Sequence, residues 1–256
     1  MHRMKENVLI TGATSGIGYE LAKIFAENKF NLIISARNKN ALESIKVDFE
    51  KKYGIKVSVF KKDLSQRNSA TELFNEVKAE NIQIDILINN AGAGYVGEFL
   101  EENLEKDESI MELNMNSLTI LTKLFAKEMV KRRSGKILNV ASTGSYHPGP
   151  YTAVYYATKA YVLSFTEALA VELKPYNVKV SALCPGATKT NFSKSAGKED
   201  NPTAMKPSYV AKKAYNGLMN NKTTIIPGLQ YKAFVMLPRK LVTPLIGKYQ
   251  KSLKNN

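Results

Sequence analysis

The amino-acid sequence predicts an α/β protein: a doubly wound parallel sheet with helices on both faces, three layers in a single domain. Three observations carry that expectation. Short β-branched runs recur at 8–11, 31–35, 56–61, 84–88, 136–141, 178–183 and 223–226. Between them, the stretches 16–27, 41–52, 70–80, 117–132, 153–173 and 209–218 place apolar residues at helical spacing. The length of 256 residues, 44% of them hydrophobic, is enough for one large α/β core.

Composition excludes several classes. The lone Cys184 has no intramolecular partner, and with His2 and His147 it makes too sparse a set for structural zinc. Cysteine usage of this kind suits a reducing, cytoplasmic compartment. The first apolar run, 8–10, leads straight into a glycine turn, which leaves no room for a signal peptide, and no apolar stretch reaches the roughly 18 residues of a spanning helix. The expectation is a protein neither secreted nor transmembrane.

The first strand, Val8-Leu9-Ile10-Thr11, runs into Gly12-Ala13-Thr14-Ser15-Gly16-Ile17-Gly18 and opens a helix. Gly12 permits a tight turn, Gly16 lets backbone approach an anion, and Gly18 allows close packing of helix on strand. The unpaired N–H groups and the dipole of the helix amino end favour a phosphate. Read alone, the G-x-x-x-G-x-G spacing fits a structural turn as well as a nucleotide site. The second strand ends at Ala36-Arg37, 19 residues past Gly18, with a guanidinium where a carboxylate would grip a ribose 2′-hydroxyl. A guanidinium there suits a 2′-phosphate and so NADP over NAD, or it is a plain surface arginine. Asp63, after the third strand, is either an acceptor for an adenine amino group or a helix-capping residue. On the helix 153–173, Tyr155 and Lys159 share a face at i and i+4. A nearby ammonium favours the phenolate, so the pair can give and take a proton, although taken singly such a pair is as often surface decoration. The stretch 188–207, rich in Lys, Ser, Asn and Gly, reads as a lid beside the last strands.

Charge is uneven along the chain. The formal net charge is +14, yet residues 201–256 hold ten Lys and Arg and no acidic residue. The expected division is therefore a dinucleotide domain at 1–228, lid included, and a basic amphipathic extension at 229–256. That extension is a terminal helix docked on its own domain, or a peripheral contact for a membrane surface or an acidic carrier. Pro238 and Pro244 argue against one long regular helix there. Nucleic acid is not an expected partner, because the charge is diffuse and no nucleic-acid module is present.

Thr11-Gly12-Ala13-Thr14-Ser15-Gly16-Ile17-Gly18, Asn89-Asn90-Ala91-Gly92, Asn114, Ser142, Tyr155-x-x-x-Lys159 and Pro185-Gly186 occur in an order that resembles the short-chain dehydrogenase/reductase family. Ser142 lies 13 residues before Tyr155, as the family pattern requires, and the resemblance runs from about residue 5 to residue 228. It implies a Rossmann-type fold and hydride transfer between nicotinamide and a carbonyl or secondary alcohol. It implies Tyr155 as the proton donor or acceptor, Lys159 as the group lowering its pKa, Ser142 as a donor to the carbonyl oxygen, and Asn114 as the holder of a water reaching Lys159. Asn116 is a rival for that place, but the Leu113-Asn114-Met115 context matches better. NADP(H) contacts carry over to Gly12, Ser15, Gly16, Ile17, Gly18, Arg37, Asp63, Leu64, Asn90, Ala91, Gly92, Tyr155, Lys159, Pro185 and Gly186, with Thr188 and Thr190 near the carboxamide.

The implied pocket wall, 93–99, 143–151 and 188–207, is apolar and aromatic, offering Tyr95, Phe99, Tyr146, His147, Pro148, Tyr151, Phe192 and Met205. It suits a hydrophobic ketone, a 3-oxoacyl thioester or a steroid. The family resemblance also implies a homodimer or homotetramer built on the helices 117–132 and 153–173. A second use of the same fold is an NADP-binding regulator or scaffold without turnover, which would not require Ser142, Tyr155 and Lys159 together.

Overall fold

Seven short strands, each a near-continuous apolar run, form one sheet because both of its faces are covered. The computed structural model describes residues 5–192 and 204–254. The strands are β1 (Asn7–Thr11), β2 (Asn31–Ala36), β3 (Val57–Lys61), β4 (Ile86–Asn89), β5 (Gly135–Val140), β6 (Val178–Leu183) and β7 (Thr224–Ile225). All pair in parallel, in the order β3-β2-β1-β4-β5-β6-β7. The chain winds outward from β1 to β3, then returns to place β4 on the other side of β1. That reversal opens a crevice at the carboxyl ends of β1 and β4.

The helices are α1 (Gly16–Glu27), α2 (Lys39–Tyr53), α3 (Ser69–Ala79), α4 (Leu104–Met111), α5 (Leu118–Lys131), α6 (Ala153–Glu172), α7 (Pro207–Met219), α8 (Leu229–Phe234) and α9 (Arg239–Lys254). Side chains alternate across the pleat. Val8, Ile10, Ile34 and Ile88 pack against Phe25 of α1, Phe49 of α2 and Ala214 of α7. Leu9, Ile33, Leu87 and Ile137 pack on the opposite face against Leu73 of α3 and Phe125 and Met129 of α5. Each such fully buried side chain contributes about 1.5–3 kcal/mol of hydrophobic stabilisation, so this two-sided core dominates folding.

The three-layer sheet matches the sequence expectation, and the stretch before α5 adds to it. A helix at Leu104–Met111 and a π-helical turn at Glu112–Ser117 precede α5, where only the last helix is legible as a periodic pattern. A π turn has no periodicity signature of its own. The tail forms two helices rather than one long one, as Pro238 suggests: α9 begins directly after Pro238, and it carries Pro244 in its interior. Of the expected lid, 188–192 and 204–207 are described, and the intervening 193–203 lie outside the described residues. The two described ends are pinned together, Lys189 N donating to Met205 O at 2.9 Å and Met205 N to Ala187 O at 2.9 Å.

Candidate active site

The glycine turn sits in the crevice at the end of β1. Gly12 and Gly16 adopt φ of +67° and +57°, a region that side chains strain to occupy. Gly18 has no room for a Cβ, which would collide with the Gly12 carbonyl and the Asn90 amide. Ser15, exposed at the N-cap of α1, leaves its hydroxyl out of the cap, so the helix amino end keeps unpaired N–H groups for an anion. Asn90 holds the turn in shape: its Nδ2 donates to Thr11 O at 3.0 Å and Gly12 O at 3.1 Å. Ala91 N donates to Thr11 Oγ1 at 3.1 Å, tying the β4 loop to the β1 loop.

Arg37 stands exposed one residue past β2. Asp63 accepts from Ser65 N at 3.1 Å and Ser65 Oγ at 2.7 Å, so its carboxylate is held by a local turn at the end of β3. The adjacent Leu64 is buried, and its carbonyl accepts from Ser117 Oγ at 2.7 Å. On the far side of the crevice Thr190 lies directly over Gly16, where an added Cβ would meet its Cγ2 at 2.9 Å. Thr188 Oγ1 donates to Gly186 O at 2.9 Å, stiffening the loop after β6.

The four expected catalytic side chains converge at the ends of β4, β5 and α6. Ser142 follows β5 and caps a single 3₁₀ turn, its Oγ accepting from Gly144 N at 3.0 Å. With its lone pair engaged there, its own hydrogen is free to point outward, and the Ser142 hydroxyl is the group that draws the Tyr155 phenol down in pKa. Lys159, buried, donates from Nζ to Val140 O at 2.8 Å and lies 5.9 Å from the centre of the Tyr155 ring. Burial pulls its ammonium down to about 8. Asn114, from the π turn, is fully buried: Oδ1 accepts from Ala93 N at 3.0 Å, and Nδ2 donates to Ala93 O at 2.9 Å and Thr158 Oγ1 at 3.0 Å. Its rival Asn116 is exposed and bonded to Glu112. An added Cβ on Gly92 would sit a tight 3.3 Å from both Asn114 Oδ1 and Lys159 Nζ and would press on both groups.

Burial pushes Tyr155 above the ordinary phenol range, and the Ser142 hydroxyl is the group that pulls it down.

The wall residues divide. Phe192 faces the Tyr155 ring at 5.4 Å, and Gly94 abuts both rings. Tyr95 is buried and donates to Asp107 Oδ1 at 2.7 Å, with Lys106 over its ring, so it braces α4. His147 is buried against Phe234 of α8, with Nε2 3.1 Å from the Phe234 carbonyl. Sequence reasoning missed how closely the tail helices join the site. Tyr231 of α8 covers Gly186, Arg239 Nε donates to Tyr146 O at 3.0 Å, and buried Gln250 of α9 pulls down the pKa of Tyr156, the neighbour of Tyr155. Only the 3.6-residue spacing of Val242, Ile246 and Gln250 hints at a packed face.

A family model described as short chain dehydrogenase matches residues 6–201. The chain belongs to the short-chain dehydrogenase family, whose fold and site are those of oxidoreductases that act on alcohol and carbonyl groups with a nicotinamide cofactor. It is 33% identical over 195 residues to dehydrogenase/reductase SDR family member 7B of Xenopus tropicalis, an alignment covering 74% of this chain and 63%, under two thirds, of that protein. It is 33% identical over 223 residues to 17-beta-hydroxysteroid dehydrogenase 13 of Mus musculus, covering 86% of this chain and 73% of the relative. A solved short-chain dehydrogenase from Sphingobium yanoikuyae in complex with NADPH superposes with a TM-score of 0.84 at 32% identity, over 90% of this chain and 92% of that one.

Proposed function

We propose that the protein is an NADP(H)-dependent oxidoreductase that reduces a hydrophobic ketone or oxidises the matching secondary alcohol. The observation that carries the reading is the convergence of Ser142, Tyr155 and buried Lys159 beside a glycine-lined crevice, with Lys159 Nζ 5.9 Å from the centre of the Tyr155 ring and the Ser142 hydroxyl drawing the phenol down in pKa. The residues present fit the dinucleotide. Gly12 and Gly16 form a cradle at positive φ that a Cβ would fill, and the α1 amino end supplies N–H donors for the pyrophosphate. Asn90, Ala91 and Gly92 line the middle of the crevice, and Pro185 to Thr190 its far end. Arg37 supports a 2′-phosphate, hence NADP(H); the Sphingobium yanoikuyae neighbour holds NADPH.

When bound, the nicotinamide supplies or accepts the hydride at the carbonyl carbon. The chain's own residues manage the oxygen and its proton. Ser142 donates to the carbonyl oxygen, where negative charge develops. The protonated Tyr155 then gives its proton to that oxygen as it becomes an alkoxide, and takes it back in the oxidative direction. The Lys159 ammonium stabilises the phenolate left behind, and with its pKa near 8 it releases and regains a proton close to neutral pH. Phe192 beside the Tyr155 ring supports an apolar substrate face, and the resemblance to a 17-beta-hydroxysteroid dehydrogenase points to a bulky ketone.

Residues 1–228 would form the dinucleotide domain and 229–256 its extension. Assembly as a homodimer or homotetramer through α5 and α6 is part of the proposal, supported by exposed Val171 and Tyr161 on α6. Among the described residues no helix is long and apolar enough to cross a membrane, and with a lone cysteine the proposed location is the cytoplasm.

The test is NADPH and NADH oxidation followed by absorbance across ketones, 3-oxoacyl thioesters and oxosteroids, with Tyr155→Phe beside the wild type. Turnover with NADPH that falls at least about 100-fold in Tyr155→Phe is expected. Cofactor binding with no turnover of any member of the panel would favour a non-catalytic regulator instead.

A further inference from the structure

The surface of the tail does not match the rest of the molecule. Among the described residues, six of the fourteen exposed large hydrophobic side chains lie between 229 and 249. Leu241 and Leu245 of α9 are 65% and 67% exposed, and Leu229 and Met236 are 80% and 84% exposed. Helix α9 has three faces. Val242, Ile246 and Gln250 are buried against the domain, with Gly247 against Pro150. Leu241, Leu245 and Tyr249, one residue earlier in each turn, form a parallel stripe turned to solvent. Lys240, Lys248 and Lys251 follow on the next face round the helix, all exposed. Lys232 on α8 and Arg239 at the start of α9 extend the positive charge, and no acidic residue occurs after position 200.

We infer that this stripe, on α9 and the loop before it, docks the protein on a bilayer surface bearing anionic lipid headgroups. An apolar stripe edged by lysines is what a helix lying in the membrane interface needs: leucines for the acyl boundary and cations for the headgroups. A second copy of this chain is the poorer occupant. A two-fold contact would bring the same cations together from both sides, with no carboxylate of the tail to neutralise them. The position of the stripe has a further consequence, which rests on the function proposed above. The docked elements are the ones that touch the site: Tyr231 covers Gly186, Phe234 holds His147, and Arg239 bonds the Tyr146 carbonyl. Docking through this face sets the apolar pocket beside the phase in which a hydrophobic ketone dissolves.

Flotation of the full chain with phosphatidylcholine vesicles, with and without one third phosphatidylserine, tests the inference. The readout is binding rather than turnover, so it stands or falls separately from the enzymatic reading. The wild type is expected to float with the phosphatidylserine vesicles and to be released by high salt. Lys240→Gln/Lys248→Gln/Lys251→Gln is expected to weaken binding by about 100-fold, at roughly fivefold per lysine. Leu241→Ser/Leu245→Ser is expected to weaken it at least about tenfold. Both leucines are exposed, so the thermal melt should be unchanged, and Val47→Ser, an equally exposed apolar site on α2, should bind like the wild type. No binding of the wild type to phosphatidylserine vesicles would overturn the inference. So would a Leu241→Ser/Leu245→Ser variant that keeps vesicle binding, or one that changes only the oligomeric state, which would make this face a contact between copies. Salt-sensitive binding of the wild type to an acidic acyl carrier protein in place of vesicles would likewise overturn it.

Discussion

Replacing Lys159 by methionine should stabilise the protein free of cofactor while destroying its chemistry. The Lys159 side chain is buried, and burial moves its pKa from the ordinary 10.5 to about 8. A shift of that size means its charge costs the folded state on the order of 3 kcal/mol. The sign follows from proton binding. Below about 8 the ammonium is charged in both folded and unfolded chains, so the cost is present in full. Between about 8 and 10.5 the folded protein has released its proton while the unfolded chain still holds one, and stability rises with pH. Methionine has a similar length and no charge, so it removes the cost but forfeits the bond from Nζ to Val140 O, worth about 1–1.5 kcal/mol. The net gain at pH 7 is about 1–2 kcal/mol, or roughly 3–6 °C in Tm for a chain of this size. Calorimetry of both proteins at pH 7 and pH 10 measures it. The gap should be open at pH 7 and nearly closed at pH 10, with turnover lost throughout. A variant less stable than the wild type at pH 7, or a gap that ignores pH, would refute the reasoning.

Two further outcomes are expected. Arg37→Ala should lower kcat/KM for NADPH about 10–100-fold, the worth of a charge-assisted contact to a phosphate, and leave NADH unchanged; equal losses with both cofactors would remove Arg37 from the 2′-phosphate role. Glu128 is held down to about 2 by hydrogen bonds from Lys131 and Lys78. Its contribution is present above the ordinary carboxyl pKa near 4.5 and is lost as pH falls toward about 2. Glu128→Gln should therefore cost about 0.5–1 kcal/mol in urea unfolding at pH 7, small because both lysines are exposed, and nothing measurable at pH 2.

Much of the candidate site is legible before folding because its parts are local. Gly12, Gly16 and Gly18 lie in one turn, and their need for positive φ or close approach is a property of that turn. Tyr155 and Lys159 share a helix face by spacing alone. The seven strands show themselves as apolar runs because a sheet buried on both faces has no polar alternation. What those signals omit is the partner across each gap. The sequence prefers Asn114 over Asn116 only by its neighbours; the π turn buries Asn114 against Ala93 and leaves Asn116 on the surface with Glu112, a difference in burial that no local pattern shows. Tyr95 and His147 look like pocket residues, and the fold spends them on Asp107 and Phe234.

The sequence by itself determined the parallel α/β class, the glycine turn, the shared helix face of Tyr155 and Lys159 and the basic character of the tail, since each is written in neighbouring residues. Tertiary structure decided the strand order that opens the crevice between β1 and β4 and the burial that raises the Tyr155 pKa. It also decided the seating of α8 and α9 on the active-site loops, with Leu241, Leu245 and Tyr249 left facing outward. The physical reason is that periodicity reports which face of an element is apolar. Which surface meets that face, and how much of it stays uncovered, depends on packing between segments far apart in the chain.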